Sequence, residues 1–320
     1  MAKLTAGIDL GGTKIQVVVL RARKVAGQAR IPTPHSGVDV VATAMAETVR
    51  DALAEGGLAA SDLAAVGVGS PGEIGQEKGT VARSPNVPGF EGADPVPLAG
   101  TLSRKLRRVP VKIDNDVRVG MLGEWKRGAA RPYQDVIGVF VGTGVGGGLV
   151  LENRMRRGRG SAGEIGHTIV KEGGRTCSCG RPGHLESYAG RARIEAHARD
   201  LVNKGKKTDL FDIMAKRGRD RVTSGVIARA IDHGDKLTIK LIDEAVWALG
   251  IALSNAQNLL DVEAVLIGGG LGDRLGAPFV QRIADAMAPQ LFAPDRAPAM
   301  LTTELGDLGG AVGAAVLAGG

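Results

Sequence analysis

The chain has 320 residues, 43% hydrophobic and 23% charged, which are values for a globular protein with one large domain or two of ordinary size. A formal charge of +7 raises nucleic acid as a partner, but the basic residues are scattered and aromatics make up only 3%, leaving little for bases to stack on. No apolar run reaches the ~20 residues of a membrane helix without glycine or charge. Met1-Ala2-Lys3-Leu4 leads into a strand rather than a signal peptide, and Cys177 and Cys179 sit too close together for an ordinary disulfide, so the expectation is a cytoplasmic protein with no nucleic-acid or membrane partner.

Along the chain, residues 4–20 read as a hairpin: an apolar run, the turn Gly11-Gly12-Thr13, and a second apolar run. A polar turn over 21–27 and a third strand over 28–33 follow. Helical spacing of Val41, Met45, Val49 and Leu53 predicts a helix over 38–55, with Ser36 or Asp39 near its start and Gly56-Gly57 at its end. A short buried strand covers 64–69 and meets the turn Ser70-Pro71-Gly72; 79–90 reads as loop and 98–106 as helix. The strand 111–113 runs into Asp114-Asn115-Asp116 and a helix over 117–125.

A second hairpin over 136–151 repeats the first design around Gly142-Thr143-Gly144-Val145-Gly146-Gly147. The segment 152–187 is irregular. Helices follow near 191–203, 224–232 and 237–260, then a strand over 262–267 that stops at Gly268-Gly269-Gly270. A helix near 278–289, a strand near 299–303 and a small-residue helix over 310–317 complete the chain. Mixed strands and helices argue an α/β fold, and the repeated hairpin argues two related lobes with a cleft between them.

Two glycine strings, 67–72 and 142–147, fit G-x-G-x-x-G, but neither enters the helix that a dinucleotide fingerprint requires, and no P-loop string exists. The paired hairpin turns instead suit phosphate, because glycine lets an anion approach backbone N–H groups. Asp9 at the mouth of the first turn can hold Mg²⁺ or cap the turn; Thr13 and Lys14 add a hydroxyl and a charge. In Asp114-Asn115-Asp116 one carboxylate can take a hydroxyl proton while Asn115 binds substrate, or the group can simply cap the following helix. His167, Cys177, Cys179 and His184 make a complete tetrahedral Zn²⁺ set, which with four protein ligands is structural; the alternative is two free thiols beside ordinary histidines. Glu164 and Glu186 flank these ligands and are placed to contact a polyhydroxy substrate.

Taken in order, Asp9 to Lys14, Asp114 to Asp116, the Gly142 string, Gly163-Glu164-Ile165-Gly166-His167 and the segment 177–186 resemble the ROK family (repressors, open reading frames, kinases), and most its bacterial glucokinases. The resemblance spans essentially the whole chain. It implies a two-lobed actin-like, ribonuclease-H-like ATPase fold with Mg-ATP and a sugar in the central cleft, and an ATP-dependent hexose kinase acting on glucose, or alternatively on fructose or an N-acetylhexosamine, with a catalytically silent sugar sensor as the non-kinase reading. It implies lobes at 1–116 with 304–320 and at 117–303, a zinc segment at 167–184, and a homodimer or homotetramer. It makes Asp116 the general base, and Asn115, Glu164, His167, Glu186, Asn86 and Gly72 the sugar side. It assigns phosphates to Asp9, Gly11, Gly12, Thr13, Lys14, Thr143 and Gly144, and adenosine to Gly269 and Gly270. The chain departs from the family in one place: His184 stands where a third cysteine is usual. Its first hairpin begins at about residue 4, which counts against the DNA-binding members of the family.

Overall fold

The computed structural model describes residues 3–84, 87 and 89–320. Strands β1 (Leu4–Leu10), β2 (Lys14–Arg21) and β3 (Lys24–Pro32) form an antiparallel meander, and helix α1 (Gly37–Glu55) ends at Gly56 and a left-handed Gly57. Next come β4 (Leu63–Ser70), the short β5 (Glu73–Gly75) and β6 (Thr80–Ala82), α2 (Leu98–Lys105), β7 (Val111–Asn115) and α3 (Asp116–Arg127). The second run holds β8 (Val136–Val141), β9 (Val145–Leu151), β10 (Arg154–Arg156), α4 (Glu186–Ala189), α5 (Arg191–Asn203), α6 (Leu210–Lys216), α7 (Ser224–Asp232) and α8 (Lys236–Leu260). It closes with β11 (Ala264–Gly268), α9 (Gly269–Met287), β12 (Ala299–Thr302) and α10 (Gly309–Gly319).

The chain divides into two compact units, Met1–Pro132 with Glu304–Gly320, and Tyr133–Thr303. In the first, the sheet order is β3-β2-β1-β4-β7, with β1, β4 and β7 parallel. Side chains alternate across the pleat. Ile15, Val17 and Val19 face Val41, Met45 and Val49 of α1, whereas Val18 and Leu20 face Ala311, Val312 and Ala315 of α10. Helix α10 lies directly on the sheet, because a Cβ at Gly7 would stand 1.9 Å from the Ala311 carbonyl oxygen and one at Gly67 1.8 Å from that of Ala314. The boundary expected after residue 116 falls inside this unit. Helix α3 packs on α10 so closely that a Cβ at Gly313 would lie 1.9 Å from the Val119 carbonyl oxygen, and this carries the unit on to Pro132. Buried Glu124 of α3 holds the same corner: its carboxylate accepts the N–H groups of Ala129 at 3.0 Å, Glu304 at 3.1 Å and Leu305 at 2.9 Å.

The second unit repeats the plan. Its sheet runs β10-β9-β8-β11-β12, with β8–β9 antiparallel and β8, β11 and β12 parallel. Each strand thus has a counterpart at the same place in the first sheet. Leu241, Ala245, Leu249 and Leu253 of α8 recur at helical spacing and pack in one core with Val139, Val265 and Ile267.

Several elements differ from the sequence expectation. The third strand starts at Lys24, and the polar turn shrinks to Ala22-Arg23, with Ala22 at φ 58. Strand β6 occupies part of the stretch read as loop, and α6 was not expected. Helix α9 begins at Gly269 itself; Gly276 (φ 61) and Pro278 break it, so only its second arm was legible.

Candidate active site

In the first unit the parallel strands bring the candidate residues to one end. Asp9 pairs with Gly69, Gly69 with Asp114, and Ser70 with Asn115, all at the C-terminal ends of β1, β4 and β7, where open α/β sheets bind ligands. The first turn is closed by the Gly11 amide donating to the Lys14 carbonyl at 2.9 Å. Thr33 braces it: its hydroxyl donates to the Gly11 carbonyl at 2.6 Å and its amide to the Thr13 carbonyl at 3.2 Å. Thr33 was not singled out in the sequence, where nothing marks a threonine at the end of a strand. Asp9 stands against Gly310 at the start of α10, where a Cβ would lie 2.8 Å from its Cγ. Burial pushes the Asp9 carboxyl above its usual range; Lys14 opposes this and Asp307 adds to it. Lys14 Nζ lies 4.0 Å from an Asp307 carboxylate oxygen.

The three residues 114–116 have three different surroundings. Asp114 is buried and paired with Arg118 Nε at 2.9 Å. Asn115 is the N-cap of α3, its Oδ1 accepting from the amides of Val117 at 3.1 Å and Arg118 at 3.3 Å. The capping reading and the substrate reading are compatible, since the cap uses the amide oxygen and leaves the Nδ2 hydrogens as donors. Asp116 is the first residue of α3, half-buried, and its Oδ1 accepts the Val117 amide at 3.0 Å. Gly72, at φ 102, has Ala82 and Ser84 so close that a Cβ would lie 2.6 Å from the Ala82 carbonyl oxygen; the turn itself requires glycine there. Asn86 lies outside the described residues.

In the second unit the Gly142 amide donates to the Gly144 carbonyl at 2.9 Å, closing the second turn. The start of α5 is fastened to it. The Arg191 and Ala192 amides donate to the Gly142 and Thr143 carbonyls at 3.1 and 3.0 Å, and Arg191 Nη2 donates to Thr143 Oγ1 at 2.7 Å. Gly269 and Gly270 open α9 beside β8, where a Cβ at Gly269 would lie 2.7 Å from the Val141 nitrogen. The segment with Glu164 and His167, both exposed, runs against β9, and a Cβ at Gly166 would stand 2.0 Å from the Val145 carbonyl oxygen.

His167, Cys177, Cys179 and His184 converge, with one ligand atom from each lying within 4.8 Å of the others. His167 Nδ1 lies 3.4 Å from His184 Nδ1 and 3.8 Å from Cys177 Sγ, and Cys179 Sγ lies 3.3 Å from His184 Nδ1. A tetrahedron built from Zn–N of about 2.0 Å and Zn–S of about 2.3 Å has edges of about 3.3 to 3.8 Å, and these three separations fall in that range, so the donor set suits zinc in kind and spacing. The knuckle is local: the Gly180 amide donates to the Cys177 carbonyl at 3.0 Å and the Cys177 amide to the Arg181 carbonyl at 2.9 Å. Burial, then His167, hold His184 below its usual range, in the neutral form that coordinates metal.

Glu186 sits between this cluster and the second turn. Its Oε2 accepts the Val145 amide at 3.1 Å, and its Oε1 receives the Ser178 hydroxyl and, at 3.3 Å, the Cys177 thiol. Burial opposes its charge, but the bonds from Ser178, Val145 and Cys177 prevail and hold it below the usual carboxylate range.

The family model for the ROK family matches residues 5–320. A glucokinase of Halalkalibacterium halodurans is 32% identical over 89% of this chain and 86% of its own length. An N-acetyl-D-glucosamine kinase of Salmonella typhimurium is 30% identical over 97% and 98%. Among solved structures, a ROK family glucokinase from Streptomyces griseus in complex with glucose and AMPPNP aligns with a TM-score of 0.81 at 30% identity, covering 98% of this chain and 99% of that one. These similarities agree with an actin-like ATPase fold, and the chain belongs to the ROK family.

Proposed function

We propose that this protein is an ATP-dependent hexose kinase that phosphorylates glucose at its 6-hydroxyl. The observation that carries the reading is the near-complete structural match to a glucokinase that binds glucose and an ATP analogue, in a chain whose own Asp9, Asn115 and Asp116 stand at the C-terminal ends of β1 and β7 and at the start of α3. Asp116 accepts the proton of the attacking hydroxyl. Asn115 donates to the sugar through Nδ2, and Glu164, His167 and Glu186 bind further hydroxyls. Gly11, Gly12, Thr13, Thr143 and Gly144 offer amides and hydroxyls to the phosphates, Asp9 and Lys14 balance the charge of Mg-ATP, and Gly269 with Gly270 leave room for adenosine. His167, Cys177, Cys179 and His184 would hold zinc, which with four protein ligands would supply a rigid cross-link rather than a reactive water. The working state is a homodimer or homotetramer. No described helix is long and apolar enough to cross a membrane.

The similarity to an N-acetyl-D-glucosamine kinase supports an N-acetylhexosamine as the second substrate reading. The test is ADP formation from Mg-ATP across a panel of hexoses and N-acetylhexosamines, with a control lacking sugar. Strongest stimulation by glucose is expected. Stronger stimulation by N-acetylglucosamine would replace the substrate. ADP formation independent of sugar, or none at all, would overturn the kinase reading in favour of an ATPase or a silent sugar sensor.

A further inference from the structure

The first turn of α5 carries a charge that helix starts disfavour. Acidic side chains complement the positive end of a helix. Here Arg191 and Arg193 stand in that turn and no acidic residue does. Arg191 is half-buried and fixed by the second turn: its guanidinium donates to Thr143 Oγ1 at 2.7 Å and its amide to the Gly142 carbonyl at 3.1 Å. Arg221 is brought to the same place. The amide of its neighbour Val222 donates at 2.8 Å to Oε2 of Glu195, about one helical turn along α5 from Arg191. Burial, and then the charge of Arg221, hold Arg191 below its usual range. Glu195, whose charge reaches Arg191, is engaged by Arg199 Nε at 3.1 Å as well as by Val222. Among the described residues no ion pair joins Arg191, Arg193 or Arg221 to a carboxylate.

Gathering guanidinium groups at a positive helix end breaks a local rule of stability, and such breaks mark sites where a ligand restores the balance. The ligand that does so is a row of negative charges, and the glycine-rich turn beside it admits one. We infer that Arg191, with Arg221 at its side, binds the phosphate chain of the donor next to Thr143. Arginine suits this task, because its planar fork keeps several N–H donors free while one is used on Thr143. The inference rests on the kinase reading and deepens its donor site: the donor is recognised by its phosphoryl charges in addition to its base.

Inorganic tripolyphosphate with Mg²⁺ is the probe, because it carries the phosphate chain without base or ribose. Its affinity for the full chain is measured by calorimetry, beside KM for Mg-ATP and for sugar, in the wild type, Arg191→Gln and Arg221→Gln. The wild type is expected to bind tripolyphosphate in competition with ATP. Arg191→Gln should weaken tripolyphosphate binding and raise KM for ATP about tenfold, and Arg221→Gln, which leaves the Thr143 bond intact, about threefold, with KM for sugar unchanged. No tripolyphosphate binding by the wild type overturns the inference. So does an Arg221→Gln variant equal to the wild type, which would make Arg191 a brace for the turn. If sugar phosphorylation is absent while tripolyphosphate binds and both variants weaken it, the kinase reading fails and the anion site stands.

Discussion

Glu186 accepts the Val145 amide at 3.1 Å through one carboxylate oxygen, and through the other it receives Ser178, the residue between Cys177 and Cys179. One acidic side chain therefore joins the second turn to the knuckle of the metal cluster. Loosening the knuckle therefore reaches the turn through Glu186, beside the packing of Gly166 on Val145.

Purified protein is accordingly expected to hold about one Zn²⁺ per chain, as the four-ligand geometry requires. Removing the metal with a chelator should lower Tm and raise KM for Mg-ATP, since the knuckle that carries Ser178, the partner of Glu186, is then no longer cross-linked. Metal analysis, melting curves and kinetics on the same preparation check this. Chelated protein with unchanged melting and kinetics would remove the metal from the account.

Asp116→Asn keeps the size of the side chain and its acceptor oxygen for the Val117 amide, so the start of α3 should persist. Turnover should fall by a factor on the order of 10² or more, with KM for sugar little changed, as loss of a general base predicts. Steady-state kinetics and a melting curve decide it; near-normal kcat would take the base role away from Asp116.

Asp9 gives a pH signature. Burial raises its carboxyl pKa on folding, although Lys14 opposes this. A carboxyl raised on folding lends its stability fully below the unfolded value, and that contribution is lost as pH rises through the folded value. Above the folded value, ionised Asp9 therefore weakens the fold. Asp9→Asn should gain in melting temperature on the wild type as the pH rises, and the gap should narrow as the pH is lowered. The same variant should lose phosphoryl transfer, because the carboxylate proposed to face Mg-ATP is gone. Melting curves across pH, without nucleotide, provide the check; a gap that widens toward acid would contradict the burial argument.

Glu124 offers a test of stability. Its carboxylate serves the amides of Ala129, Glu304 and Leu305, and among the described residues no ion pair joins it to a cation. Glu124→Gln turns an N–H₂ group toward at least one of those donors. Leaving part-buried amides unpaired should cost roughly 1–3 kcal/mol in denaturant unfolding. A cost below about 0.5 kcal/mol would mean that the amides find other acceptors.

The parts of the molecule that the sequence disclosed are those written in consecutive residues. The two hairpins were legible because β-branched runs flank glycine turns, and the matching strand orders of the two sheets show what that repetition encodes. The gathering of His167, Cys177, Cys179 and His184 was legible because their spacing is short enough to read as ligands. Thr33, Glu124 and Arg191 were not. Each acts on a partner far along the chain: Thr33 on Gly11, Glu124 on Glu304, Arg191 on Thr143. Arg191 did leave a trace, a basic first turn where acidic residues are preferred. The helix start at Gly269 was hidden because glycine is a poor helix former, and α6 is too short to establish a period.

The first unit is written in two pieces, and its second piece, Glu304–Gly320, supplies the helix that covers Gly7 and Gly67. The second unit is one unbroken stretch between them. During synthesis the ribosome therefore delivers every residue of the later unit before the earlier one can complete its core. The usual order, in which the N-terminal domain folds first as the chain emerges, is reversed. Until α10 arrives, the face of β1 and β2 that carries Val18 and Leu20 stays open to water, and that interval is when the nascent chain most needs a chaperone.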